Sequence, residues 1–217
     1  MKLEICATDI RSVLAAKEAG ADRVELCSAL ETGGLTPSEG LIRAAISTGI
    51  AVNVLIRPRP GDFVYDEPEI CVMERDVERA VELGVNGVVI GALRKDGSID
   101  LSVCHRLIRK AGKTEVTFHR AIDRCCDMLA GVEDIVHMGC RRILTSGGKA
   151  SAVEGAEMIS RMVNAADGRL TIMAGAGVNS GNVRELIERT GVAEVHASAK
   201  GKFEEMVSLR NIVSSFH

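Results

Sequence analysis

Eight times along this chain a short apolar run gives way to a glycine-containing or polar loop, and then to an amphipathic stretch that closes near a glycine. The runs are Leu3–Ala7, Arg23–Cys27, Ala51–Arg57, Gly87–Leu93, Glu115–Ala121, Arg142–Ser146, Leu170–Ala174 and Glu194–Ser198. Three entries into a run share one form: Ala19-Gly20-Ala21-Asp22-Arg23-Val24-Glu25, Leu83-Gly84-Val85-Asn86-Gly87-Val88 and Met138-Gly139-Cys140-Arg141-Arg142-Ile143. In each, a left-handed glycine ends a helix and the next strand begins at once. Strict alternation of strand and helix calls for a parallel sheet, because each helix is the crossover that parallel pairing needs. Eight such units in 217 residues match a (β/α)8 TIM barrel in the α/β class, as a single domain over residues 1–217. An open doubly wound sheet is the alternative, and six strands would serve it.

The helix starts carry their own signals. Thr36-Pro37-Ser38-Glu39 reads as a capping box with Thr36 as the cap, and Ser151-Ala152-Val153-Glu154 repeats the box without proline. From about Pro68 to Leu83 the residues Ile70, Met73, Val77, Ala80 and Val81 recur at helical spacing, so this helix has one face to bury.

Strand parity says which residues look into the barrel. The outer face must pack on helices, so the apolar set points out and the mixed set points in. That sends Leu3, Ile5, Ala7, Val24 and Leu26 outward and leaves Glu4, Cys6, Glu25 and Cys27 inward. The same rule turns Asn53, Leu55, Arg57, Thr117, His119, Thr171, Met173, His196 and Ser198 inward, while the sixth strand does not declare its parity. One inward layer is thus expected to collect Glu4, Glu25, Asn53, His119 and His196. A lone inward histidine is ordinarily a hydrogen-bonded filler. Two glutamates and two histidines converging are different, since buried carboxylates cost several kcal/mol unless paired or bound to something. His119, Arg120 and Asp123 also fall where the fifth strand runs out, which is where this fold places its chemistry.

The loops extend the cluster. Ile56-Arg57-Pro58-Arg59-Pro60-Gly61-Asp62-Phe63-Val64-Tyr65-Asp66 is long for a connection of its kind and holds the sole tyrosine; it reads as a lid or as a proline-stiffened surface loop. Ser146-Gly147-Gly148-Lys149 and Ala174-Gly175-Ala176-Gly177-Val178-Asn179 lie on consecutive loops, a common phosphate position in a barrel. Ser146, Gly147, Gly175, Gly177 and Ser198 are therefore the expected anion cradle, with Arg57 and Arg59 as its counter-charges.

Composition narrows the function classes. A net charge of −3 with no basic run gives no reason to propose nucleic acid. No apolar stretch approaches the roughly 20 residues of a membrane span. The first residues enter a strand rather than a leader, and seven irregularly spaced cysteines suit reduced thiols, so a cytoplasmic protein is expected. A homo-oligomer is compatible with all of this.

Several stretches together resemble one family. Glu4-Ile5-Cys6, Gly20-Ala21-Asp22-Arg23-Val24-Glu25-Leu26-Cys27, Gly33-Gly34-Leu35-Thr36-Pro37-Ser38, Ile56-Arg57-Pro58-Arg59, Gly61-Asp62-Phe63, Val116-Thr117-Phe118-His119-Arg120-Ala121, Ile143-Leu144-Thr145-Ser146-Gly147 and Ala174-Gly175-Ala176-Gly177 look like the CutC family, from about Leu3 to Ala199. The resemblance implies a cytoplasmic (β/α)8 barrel with a disputed link to copper homeostasis, and Cu(I) as the metal at Cys6 and Cys27. Pro60 departs from the glycine usual there. Two soft thiolates facing inward from adjacent strands suit Cu(I), although cysteine also packs readily as a small hydrophobe. Cys125-Cys126 has poor geometry for one ion, and Cys71, Cys104 and Cys140 read as packing residues.

Two function classes follow. In one, the chain is a copper-binding homeostasis protein with Cys6 and Cys27 as ligands. In the other, it is an enzyme on a small anionic substrate, a phosphorylated one included, with Glu4, Glu25, His119 and His196 as acid–base groups.

Overall fold

The computed structural model describes residues 1–216. Its strands close into one parallel barrel in sequential order. They are β1 (Lys2–Ala7), β2 (Arg23–Leu26), β3 (Ala51–Leu55), β4 (Gly87–Ile90), β5 (Glu115–Phe118), β6 (Arg142–Thr145), β7 (Thr171–Ala174) and β8 (Glu194–Ala197). The crossovers are α1 (Ile10–Glu18), α2 (Glu39–Ser47), α3 (Glu67–Glu82), α4 (Leu101–Ala111), α5 (Met128–His137), α6 (Ala156–Ala166) and α7 (Val183–Thr190), and α8 (Phe203–Ser214) follows the last strand. The architecture is the (β/α)8 barrel that the alternation demands. No described helix is long and apolar enough to cross a membrane.

The main core lies between sheet and helices. Leu3, Ile5, Val24, Leu26, Val52, Val54, Val88 and Ile90 are fully buried there against Val13, Met73, Val77 and Leu107. On α3 the expected stripe of Ile70, Met73, Val77 and Ala80 is buried, and Val81 is only partly so. Burying such side chains contributes about 1.5–3 kcal/mol each, which leaves the inner face of the sheet free for polar residues.

Local readings need correction in three places. The cap of α2 is Ser38, whose hydroxyl accepts from Leu41 N; Thr36 instead accepts from Arg57 N at 2.9 Å and clips the β2 loop to the end of β3. Ser151 Oγ accepts from Glu154 N, one contact of a box, but its hydroxyl donates to Glu154 Oε1 in place of the second; the pair closes a turn, and α6 begins at Ala156. Strands β3, β4 and β5 end two to three residues before the apolar runs do. Single bonds such as Ile56 N to Val89 O at 2.9 Å and His119 N to Ile90 O at 2.8 Å continue past the ladder, and beyond His119 the chain turns at once into a 3-10 helix over Arg120–Arg124.

Candidate functional site

The barrel interior is stacked in two tiers, where strand parity alone had suggested one. Tilted, staggered strands put residues of equal parity at different heights. Glu4 and Asn53 belong to the lower tier, and Glu25, His119 and His196 to the upper.

The lower tier is an ion-pair floor. Arg23 Nε donates to Glu4 Oε2 at 2.5 Å, and Arg23 also bonds Glu194. Arg142 reaches Glu194, Thr117 and Glu115, and Asn53 donates to Glu4 Oε2 at 3.2 Å. Burial pushes the Glu4 carboxyl up, but His196 and Arg23 outweigh it and hold it down at about 2. Every charge here has a partner, which is what keeps a buried network from being destabilising.

Above the floor is a cavity of about 260 Å³ at the C-terminal end of the strands, lined among others by Cys6, Glu25, Cys27, Arg57, His119 and His196. Glu4 Oε1 accepts from His196 Nδ1 at 2.8 Å, linking the tiers. Burial depresses the His196 imidazole, yet its bond to Glu4 and the nearby Glu25 carboxylate leave it raised. Burial lifts the Glu25 carboxyl to about 7, with His196 opposing and Glu4 reinforcing. Cys6 and Cys27 stand Sγ to Sγ at 3.5 Å. That contact, together with burial and Glu25, holds the Cys6 thiol well above its ordinary value.

On the other wall, His119 Nδ1 accepts from Ala121 N at 3.1 Å, so the ring proton is on Nε2. Burial, then Arg57, depress this imidazole to about 3, and it is neutral at physiological pH. Gly91 makes room for it: a Cβ there would stand 2.4 Å from the ring. Phe63 of the β3 loop packs on His119 with ring centroids 4.9 Å apart and lies under the Arg57 guanidinium. Arg57 is only 6% exposed. It donates to the carbonyls of Thr32, Gly34 and Gly61, and among the described residues it has no carboxylate partner. Glu25 Oε2, Arg57 Nε and His119 Nε2 are all buried without a hydrogen-bond partner among the described residues. Three such atoms around one cavity are what a polar ligand would satisfy.

The family model of the CutC family matches residues 1–201. This chain belongs to the CutC family. A CutC family protein from Pasteurella multocida is 48% identical over 215 residues, covering 98% of this chain and 88% of that relative. Another from Xylella fastidiosa is 53% identical over 199 residues, covering 91% and 74%. A crystal structure from Streptococcus agalactiae, of a protein proposed as the copper homeostasis protein CutC, superposes with a TM-score of 0.87 at 34% identity, covering 91% of this chain and 98% of that one.

In this CutC chain, Cys6, Glu25, Cys27, Arg57, His119, His196, Gly177 and Ser198 meet at the cavity. Other expected residues are engaged elsewhere. Arg59 is held by Glu69 and Asp62 and stacks over Tyr65. Gly175 gives clearance, since a Cβ there would stand 2.6 Å from Leu144. The β6 loop is filled from within: the Asp123 carboxylate accepts from Thr145 Oγ1, Ser146 N, Ser146 Oγ and Gly148 N, and Gly147 N donates to Thr145 Oγ1. An internal carboxylate thus occupies the cradle that glycine spacing suggested for an external anion. Unforeseen were Arg23, Arg142 and Glu194. The first and last share the inward parity of Glu25 and His196, which was the available signal.

Proposed function

We propose that this chain binds a small anionic molecule in the barrel mouth and carries out proton-transfer chemistry on it. The observation that carries the reading is Arg57, a buried guanidinium with no counter-carboxylate among the described residues, on the wall of a cavity that His119, with its buried and unpartnered Nε2–H, also lines. An uncompensated buried cation is costly, and an anionic ligand would remove that cost. Neutral His119 donates a hydrogen bond to the developing negative charge, as preorganised donors do. Glu25, near 7, and the Glu4–His196 pair are placed to carry the proton.

Stabilisation against thermal unfolding by inorganic phosphate and a panel of small carboxylates and phosphate esters tests this. Protection in wild type, lost in Arg57→Met and in His119→Asn, is expected. No protection by any of these anions would end the reading.

Cu(I) binding is the second reading, favoured by the inward Cys6–Cys27 pair and by family membership. The donors fit a soft ion in kind, and Cys6 and Cys27 would hold it. Cu(I) affinity under a competing chelator should then fall in Cys6→Ser and Cys27→Ser and persist in His119→Ala. All seven cysteines are unpaired, which accords with a reducing compartment, and we place the protein in the cytoplasm.

A further inference from the structure

Three donors of three kinds converge in the upper tier, and a second thiol outside that mutual group adjoins one of them. Cys6 Sγ, a Glu25 carboxylate oxygen and a His196 ring nitrogen lie within 4.8 Å of one another, and Cys27 Sγ is 3.5 Å from Cys6 Sγ. His196 Nδ1 is taken by Glu4 Oε1 at 2.8 Å, which leaves Nε2 as the ring nitrogen available to a metal. A carboxylate behind an imidazole in this manner is the arrangement that orients metal-bound histidines. Glu25 adds an independent sign, since the residue is 6% exposed and Oε2 has no partner among the described residues.

We propose that Cys6, Cys27, Glu25 and His196 form a four-donor centre for a divalent ion of the zinc class, with Glu4 as its outer-shell support. The sulfur separation argues for this shape. At thiolate bonds of about 2.3 Å, two sulfurs across a linear ion stand roughly 4.6 Å apart, whereas a tetrahedral edge is about 3.8 Å. The observed 3.5 Å is close to the edge and far from the linear value. Donor chemistry agrees, because nitrogen and oxygen beside sulfur match a borderline divalent ion better than soft Cu(I). Charge agrees too: two thiolates and a carboxylate are better neutralised by two positive charges than by one.

This centre stands independently of the anion reading, although both use one cavity. Metal-free protein is titrated with Co2+ in the absence of organic ligand, followed by absorbance, and then back-titrated with Zn2+. A thiolate-to-cobalt charge-transfer band with intense tetrahedral d–d bands, displaced by one equivalent of Zn2+, is expected. Cys27→Ser, Glu25→Gln and His196→Asn should each weaken Zn2+ by more than about 100-fold, while Glu4→Gln should weaken it by about 10- to 100-fold and keep the spectrum. Circular dichroism of each variant confirms the fold. Absence of the charge-transfer band in wild type would overturn the proposal. So would a pattern in which both serine variants lose metal while Glu25→Gln and His196→Asn bind as wild type, for that is a sulfur-only site. Failure of phosphate to protect the same metal-free protein would count against the anion reading and leave the cobalt spectrum untouched.

Discussion

Glu4 Oε1 accepts from His196 Nδ1 at 2.8 Å while its other oxygen is held by Arg23 and Asn53, so one carboxylate ties the barrel floor to the candidate site. Removing the Arg23 charge would leave buried Glu4 with only His196 and Asn53, and buried Glu194 with only Arg142 at 3.3 Å. Breaking a buried ion pair from one side costs about 3–5 kcal/mol. Arg23→Met is therefore expected to lower unfolding free energy in urea by that order. The Glu4→Gln, Arg23→Met double variant should recover part of the loss. If the double variant is no more stable than Arg23→Met, the two residues do not act as a pair.

Much of this interior is legible as simple alternation. Glu-x-Cys at Glu4 and Cys6, and again at Glu25 and Cys27, places four polar or soft side chains inside because the intervening Ile5 and Leu26 must face helices. What alternation cannot convey is height. His119 and Glu4 share an inward facing, yet one is over the cavity and the other in the floor, because strand stagger is a property of the closed sheet and not of any one strand. Arg23, Arg142 and Glu194 escaped for a related reason: a charge at a strand's first residue reads as solvated until a second charge from a distant strand closes on it. Arg59 illustrates the opposite error, since its pairing with Glu69 depends on where α3 starts. One of the glycine turns read as a phosphate cradle is bonded from within by Asp123, more than twenty residues earlier, a partner that loop spacing does not reveal.

Gly91 is the residue that admits the His119 ring. A methyl group there would stand 2.4 Å from Cε1 and 3.1 Å from the Ala121 methyl, so Gly91→Ala must displace the histidine. Overpacking of this kind costs about 1–3 kcal/mol. The variant is expected to fold with a lowered midpoint and to lose anion-induced stabilisation, both read by thermal unfolding with and without phosphate. Unchanged phosphate protection would mean that His119 does not contact the anion.

Asp123 behaves as a built-in anion. Its carboxylate, 6% exposed, takes Arg120 as well as the donors of the β6 loop. Asp123→Ala leaves those donors unsatisfied, at about 1–3 kcal/mol for each buried group that water cannot reach. Sulfate should enter the vacated cradle and restore stability, so added sulfate is expected to raise the variant's unfolding midpoint more than that of wild type at equal ionic strength. Equal responses to sulfate and chloride would show that the cradle collapses instead.

His119 makes the fold sensitive to acid, and the sign follows from its depressed value. The imidazole titrates near 6.5 in an unfolded chain and near 3 in the fold. The stability it confers is complete above about pH 6.5 and is lost as the pH falls toward 3, because only the unfolded chain can take up the proton. Over that window one group contributes a slope of up to about 1.4 kcal/mol per pH unit. His119→Asn keeps an acceptor for Ala121 N but cannot titrate. It should be less stable than wild type at neutral pH, through lost packing on Phe63, and the two stability curves should converge on acidification. Urea unfolding of both proteins between pH 4 and pH 8 measures the difference directly, since carboxylates common to both cancel. Parallel curves would show that the folded histidine takes up its proton as readily as the unfolded one, and the neutral donor assigned to His119 Nε2 would be lost with it.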